Sequence, residues 1–193
     1  MSGAARSGKS AWAETYAISL AAESPAGRLL YIATARADDA EMRRRVALHK
    51  AARKNKGFQT LERNTDVGGS VSLISPDSTV LLGCLGTLLA NEMFELGETE
   101  DNVTSSPNYY VQKIFNDVLL LRSHVAHLLV VSNDIFSDGI TYDELTERYR
   151  RALGALHVKL ADIADMAVEC AAGRAEYRKF PQNRAIWSIV YRS

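Results

Sequence analysis

The chain has only two cysteines and four prolines in 193 residues, no excess of either charge, and no long apolar run. Each shortage closes off a class of protein. Cys84 and Cys170 both lie inside apolar stretches, where a thiol behaves as a small buried hydrophobe, so a disulfide scaffold is excluded and a reducing cytoplasm is the expected setting. Lys and Arg total 23 against 23 Asp and Glu, which removes the basic footprint of a nucleic-acid binder and leaves a small charged metabolite as the expected partner. No stretch approaches the ~18 apolar residues of a membrane span. The N-terminus also lacks the basic-then-apolar order of a secretory signal, so a soluble, cytoplasmic protein with no membrane partner is expected. His124, His127 and His157 have no Cys, Asp or Glu at metal-ligand spacing, which argues against zinc. There is no internal repeat and no low-complexity tract.

What the chain does have stands at its very start. Gly3-Ala4-Ala5-Arg6-Ser7-Gly8-Lys9-Ser10 is a complete G-x-x-x-x-G-K-[ST] phosphate loop, with only Met1 and Ser2 before it. Glycines let consecutive backbone N–H groups turn toward one phosphate, and the helix that follows adds its positive end. Lys9 is placed to reach the β- and γ-phosphates, and Ser10 to hold Mg²⁺. An amphipathic helix follows from about Lys9 to Glu23, whereas the strand that should present the loop is missing.

Short runs rich in Val, Ile, Leu and Tyr, at Leu29–Thr34, Thr79–Cys84, Leu128–Asn133 and Met166–Cys170, alternate with helical stretches. That order predicts an α/β fold of the P-loop NTPase type: a mostly parallel sheet flanked by helices, with its first strand missing. Asp38 and Asp39 are candidate caps for a helix running to Arg53, with Arg43, Arg44 and Arg45 on a solvated face. Asn55–Asp77 reads as a loop-rich excursion and Glu95–Pro107 as an acidic, mobile turn region, while helices are expected at Tyr109–Val125 and Tyr142–Ile163. Residues 1–179 are expected to form one nucleotide-binding domain, and 180–193 a tail in which Ala185–Tyr191 is strand-prone.

Three more pieces fall at the ends of predicted strands, where open α/β sheets bind ligands. Tyr31-Ile32-Ala33-Thr34-Ala35 precedes Glu41-Met42, then His49-Lys50-Ala51-Ala52-Arg53, then Thr60-Leu61-Glu62. Val80–Leu85 leads to Leu89-Ala90-Asn91, and Val130-Val131-Ser132-Asn133-Asp134 to Gly139-Ile140. In this order, behind the loop and Ala13-Glu14, the chain resembles the bifunctional adenosylcobinamide kinase and adenosylcobinamide-phosphate guanylyltransferase family of cobalamin biosynthesis, from Gly3 to about Asp165. The resemblance implies a P-loop α/β domain assembled as a homotrimer. It also implies phosphorylation of cobinamide by ATP or GTP, then attachment of GMP from GTP through a covalent guanylyl-histidine. Carried over by motif, His49 takes the GMP and Gly3, Ala4, Ala5, Arg6, Ser7, Gly8, Lys9 and Ser10 hold the triphosphate, with Ser10 toward Mg²⁺. Thr34, Ala35 and Arg36, with Lys50, Ala51, Ala52 and Arg53, border the nucleotide, and Glu62 contacts it.

The residues alone leave His49 with two readings. A neutral imidazole nitrogen can attack an α-phosphorus; equally, a His beside Met42 and Val46 on one helix face reads as packed core. The chain also departs from the family pattern. Gly83 stands where the family has an acidic residue, His157-Val158 replace an Asn-Gln pair, and Phe136 replaces a glycine. A carboxylate restored at position 83 is expected to raise turnover, and its absence keeps open a second function, a nucleotide-binding homologue with little turnover that acts as a regulatory or inert subunit. A P-loop kinase for another small alcohol is a third reading.

Overall fold

A computed structural model describes residues 1–4, 7–24, 26–36, 40–95, 106–136 and 139–180. Four parallel strands form the main sheet in the order β3 (Phe58–Glu62), β2 (Leu29–Ala33), β4 (Thr79–Leu82), β5 (His127–Val130). A smaller sheet follows the order β1 (Ser2–Gly3), β6 (Ala167–Ala171), β7 (Arg174–Lys179), with β1 parallel and β7 antiparallel to β6. The mostly parallel, helix-flanked α/β arrangement is the one expected. In front of the phosphate loop stands a two-residue stub of strand. The Met1 amine donates to the Val130 carbonyl at 2.7 Å, Ser132 N–H to the Met1 carbonyl at 2.9 Å, and Asp134 N–H to the Gly3 carbonyl at 2.9 Å. These bonds join the two sheets across residues 1–3.

The pleat divides the core. On one face Leu29 and Leu81 meet α1 (Lys9–Glu23), whose Ala13, Ala17 and Ala21 recur at the helical spacing and let it lie close to the sheet. On the other, Ile32, Val80 and Leu82 pack against α3 (Leu85–Glu95), α4 (Pro107–His124) and α5 (Glu144–Ile163). Ser106 and Asp143 cap α4 and α5 by accepting from Asn108 N–H and Thr146 N–H. By contrast α2 (Ala40–Lys54) lies beside β3 with much of its described surface in solvent.

Several expectations need correction. Asn55–Asp77 contains strand β3 and a 3-10 turn at Gly68–Leu73. The strand expected to reach Cys84 ends at Leu82, and α3 starts directly at Leu85, whose N–H donates to the Val131 carbonyl at 2.8 Å. Strand β7 was not foreseen; it returns from β6 through Ala172-Gly173, both at positive φ (49° and 78°), as a two-residue hairpin requires. The candidate caps Asp38 and Asp39, residues 96–105 of the acidic segment, and the strand-prone Ala185–Tyr191 lie outside the described residues.

The segment after β3 is pinned beside the sheet by a buried carboxylate. Glu92 on α3 accepts from Asp66 N–H at 2.7 Å and from Lys113 Nζ of α4. Removing the cation leaves that charge buried with one partner fewer, although Lys113 itself is 28% exposed, which moderates the loss. Lys113→Ala is therefore expected to cost about 1–3 kcal/mol, read as a shift in the urea midpoint at unchanged slope.

Candidate functional site

The loop is built on the stub. A Cβ on Gly3 would stand 2.4 Å from the Cys170 carbonyl oxygen, so only glycine lets β1 pass this close to β6. Gly8 takes a left-handed φ of 89° as it hands the chain to α1, and Gly173 of the β6–β7 turn donates to the Ser7 carbonyl at 3.2 Å. Lys9 is 7% exposed and its Nζ folds back onto the Ala4 carbonyl at 3.1 Å. The buried hydroxyl of Ser7 has no hydrogen-bond partner among the described residues. An orphan donor beside a helix N-terminus suits a phosphate oxygen. Ser10 is exposed in the first turn of α1, while Ala5 and Arg6 lie outside the described residues.

A second group gathers at the carboxyl ends of β2 and β3. A cavity of about 210 Å³ is lined by Thr34, Ala35, Arg36, His49, Arg53 and Glu62, together with Tyr31, Asn64 and Cys84. The expected nucleotide-bordering residues thus converge, except that Lys50, Ala51 and Ala52 do not line the cavity. Lys50 pairs with Glu62 at 2.8 Å across its rim. Arg53 lies over the Tyr31 ring, 3.7 Å from its centroid, and its buried Nε has no partner among the described residues. Burial pushes the Tyr31 phenol above its ordinary pKa, and the Arg53 cation opposes that rise. Thr34 is held by its hydroxyl donating to the Cys84 carbonyl at 3.1 Å. Asn91 Nδ2 donates to the Thr34 and Asn64 carbonyls at 2.8 and 2.9 Å, tying the ends of β2 and β3 together.

His49 is exposed, so the packed-core reading of this histidine does not hold. None of the described loop residues lines the 210 Å³ cavity: the loop follows β1 of the smaller sheet, whereas the cavity lies at the ends of β2 and β3 in the main one.

A family model described as cobinamide kinase / cobinamide phosphate guanyltransferase matches residues 1–176. The chain belongs to this family. It is 30% identical over 171 residues to the bifunctional adenosylcobalamin biosynthesis protein CobU of Salmonella typhimurium, covering 86% of this chain and 90% of that protein. It is 28% identical over 170 residues to the Escherichia coli protein of the same name, with coverage of 86% and 90%. To the bifunctional adenosylcobalamin biosynthesis protein CobP of Pseudomonas aeruginosa it is 31% identical over 172 residues, with coverage of 89% and 91%.

Seen in the cobinamide kinase / guanyltransferase fold, two of the chain's departures form one unit. Phe136 and His157 meet edge to face at 5.6 Å, and His157 Nε2 shares a 2.7 Å hydrogen bond with the Ser132 hydroxyl at the end of β5. Burial holds the imidazole below its ordinary pKa, and a neutral ring suits that contact. Such a pairing across β5 and α5 has no local sequence signal.

Gly83 is the third departure, and here the expected gain from a carboxylate meets a steric obstacle. A Cβ at this position would lie 2.6 Å from the Tyr31 hydroxyl and 2.9 Å from the Ile32 carbonyl oxygen. Gly83→Asp is therefore expected to destabilise by about 1–3 kcal/mol, as an overpacked buried site does, with no rise in turnover. Tyr31→Phe, which removes the nearer atom, should recover part of the loss in a thermal-melt double-mutant cycle.

Proposed function

We propose that the protein phosphorylates adenosylcobinamide with ATP or GTP, then transfers GMP from GTP to adenosylcobinamide phosphate through a guanylyl-histidine at His49. The observation that carries this reading is a solvent-reachable imidazole at a small cavity it shares with Thr34, Arg36, Arg53 and Glu62, in a chain of this family. In the first reaction the substrate hydroxyl attacks the γ-phosphorus, the nucleoside diphosphate leaves, and the hydroxyl proton passes to solvent. In the second, a His49 ring nitrogen attacks the α-phosphorus of GTP; an N–P bond forms and the bond to pyrophosphate breaks. A phosphate oxygen of adenosylcobinamide phosphate then attacks the same phosphorus, breaks the N–P bond and frees the imidazole.

The protein's part is placement and charge. The Gly3–Ser10 loop, with the Ser7 hydroxyl and Lys9, would hold the triphosphate, and Arg53 and Lys50 would offset charge building on the guanylyl phosphate. Arg53, held over the Tyr31 ring at the cavity wall, would present its guanidinium to the nucleotide. Among the described residues no group of three or more His, Cys, Asp or Glu could hold a metal ion. Mg²⁺, which neutralises phosphate charge when bound, would therefore take one protein oxygen, from Ser10, and complete its shell with phosphate and water. Assembly as a homotrimer in the cytoplasm belongs to the same proposal; among the described residues no helix is long and apolar enough to cross a membrane.

A second reading, nucleotide binding with little turnover, is favoured by the missing carboxylate at Gly83. One experiment separates the two: incubation with α-labelled GTP, Mg²⁺ and adenosylcobinamide phosphate. Labelled adenosylcobinamide-GDP formed over many turnovers supports the enzyme. Binding of GTP with no product leaves the second reading.

A further inference from the structure

A guanidinium taken out of water ordinarily needs a carboxylate against it, because its charge is costly to bury alone. Arg53 is 8% exposed, yet among the described residues that line the 210 Å³ cavity the one carboxylate, Glu62, is paired with Lys50 at 2.8 Å. What faces Arg53 instead is the Tyr31 ring, its centroid 3.7 Å from the Arg53 Cζ. An aromatic face attracts a cation through its quadrupole and carries no charge of its own, so it holds the guanidinium without neutralising it. The stack also engages only the flat face. The edge, where the N–H donors lie in the plane, is the part that matches an oxyanion. The ring in turn is seated on Gly83: a Cβ there would lie 2.6 Å from the Tyr31 hydroxyl and 2.9 Å from its Cζ, so any larger residue requires the ring or the strand to shift. His49 and Arg53 stand four residues apart on α2, which puts both on one face of the helix, and both line the cavity.

We propose that Tyr31 is a positioning residue for GMP transfer: its ring, seated on Gly83, holds the Arg53 guanidinium one helical turn from His49 with its charge left for the α-phosphate of GTP. The assignment rests on the reading of His49 as the guanylyl acceptor. In that step a bond forms from the His49 ring nitrogen to the α-phosphorus as the bond to the bridging oxygen breaks. The electron pair of the broken bond leaves with pyrophosphate, and the proton on the other ring nitrogen passes to solvent. Negative charge is greatest on the phosphate oxygens at the moment of transfer, so a fixed, unneutralised cation acts on the rate more than on binding. A carboxylate in the place of the ring would hold Arg53 as firmly and cancel the charge it has to offer. Gly83 thereby belongs to the site as the seat of the ring.

Single-turnover labelling of the full chain by α-labelled GTP with Mg²⁺ tests the assignment. Tyr31→Leu, which keeps an apolar side chain but removes the face, is expected to slow labelling at saturating GTP by about 10- to 50-fold, while the GTP concentration for half the maximal rate changes by less than about threefold. Tyr31→Phe keeps the face and discards the hydroxyl, and is expected to restore labelling to within about threefold of the wild type. Arg53→Lys keeps the charge without the flat surface. It should cost about as much as Tyr31→Leu, and the double variant little more than either, because the ring then has nothing to hold. A second readout needs no nucleotide: the ring current of residue 31 should move the Arg53 Nε–H resonance upfield in the wild type and in Tyr31→Phe, and not in Tyr31→Leu. Equal slowing by Tyr31→Phe and Tyr31→Leu would overturn the role of the face, and losses that multiply in the double variant would show that the two residues act apart. A labelled wild type beside an unaffected Tyr31→Leu would remove this assignment alone, whereas a wild type that takes no label would remove the guanylyl-histidine together with it.

Discussion

His49→Asn is expected to remove the acid-labile, base-stable label that α-labelled GTP leaves on the protein, and to lower GMP transfer by on the order of 10⁴–10⁶, the scale on which deleting a nucleophile acts. The kinase half should survive, because phosphorylation of the hydroxyl makes no use of an imidazole. Folding should survive as well. His49 is exposed, and substitutions at such positions usually stay within about 0.5 kcal/mol. The variant therefore separates a chemical role from a structural one more cleanly than a buried histidine would. Equal labelling of wild type and His49→Asn, or no label on either at millimolar Mg²⁺, would remove the guanylyl-histidine. Phosphorylation of adenosylcobinamide without GMP transfer would instead leave a P-loop kinase whose His49 has no task.

How much of this was legible in the sequence depends on whether the signal was local. Lys9–Glu23 was read with the observed limits because a phosphate loop and a helix start are one local motif. Strands β2, β4, β5 and β6 were found from apolar runs, each within one or two residues at its start. β3 was missed because Phe58-Gln59-Thr60-Leu61-Glu62 is an edge strand, fully buried only at Phe58 and polar at Gln59, Thr60 and Glu62, and sits in a segment dominated by turn residues. β7 was missed because Arg-Ala-Glu-Tyr-Arg-Lys pairs with β6 while facing water, so its pattern is that of a charged loop.

The candidate site divides along the same line. Thr34, Arg36, His49, Arg53 and Glu62 were picked out by motif order, and the fold brings them to one cavity. What escaped were pairings between distant segments: Arg53 over Tyr31, Asn91 bridging Thr34 and Asn64, and Phe136 against His157. Gly83 teaches the converse lesson. Read as a gap in a motif, it invites a carboxylate; read beside the Tyr31 hydroxyl and the Ile32 carbonyl, it is the residue that fits.

Lys9→Ala is expected to weaken GTP and ATP binding by about 1.5–3 kcal/mol, or roughly 10- to 150-fold, by removing one charge-assisted contact to phosphate. The kinase rate should fall further, by about 10²–10³, because charge on the transferring phosphoryl group is greatest in the transition state. Lys9 Nζ spends its one observed bond on the Ala4 carbonyl of the loop itself, so binding requires only that the amine swing from that oxygen to the phosphates. Ser7→Ala gives the complementary measurement. Its buried hydroxyl has no partner among the described residues, so its removal should leave the stability of the free protein unchanged or raised while nucleotide affinity falls. Titration calorimetry on both variants, set against their urea midpoints, decides where the triphosphate lies. Affinity unchanged by both substitutions would move it from the loop to the 210 Å³ cavity beside His49, and two-site behaviour in the wild type would assign one nucleotide to each.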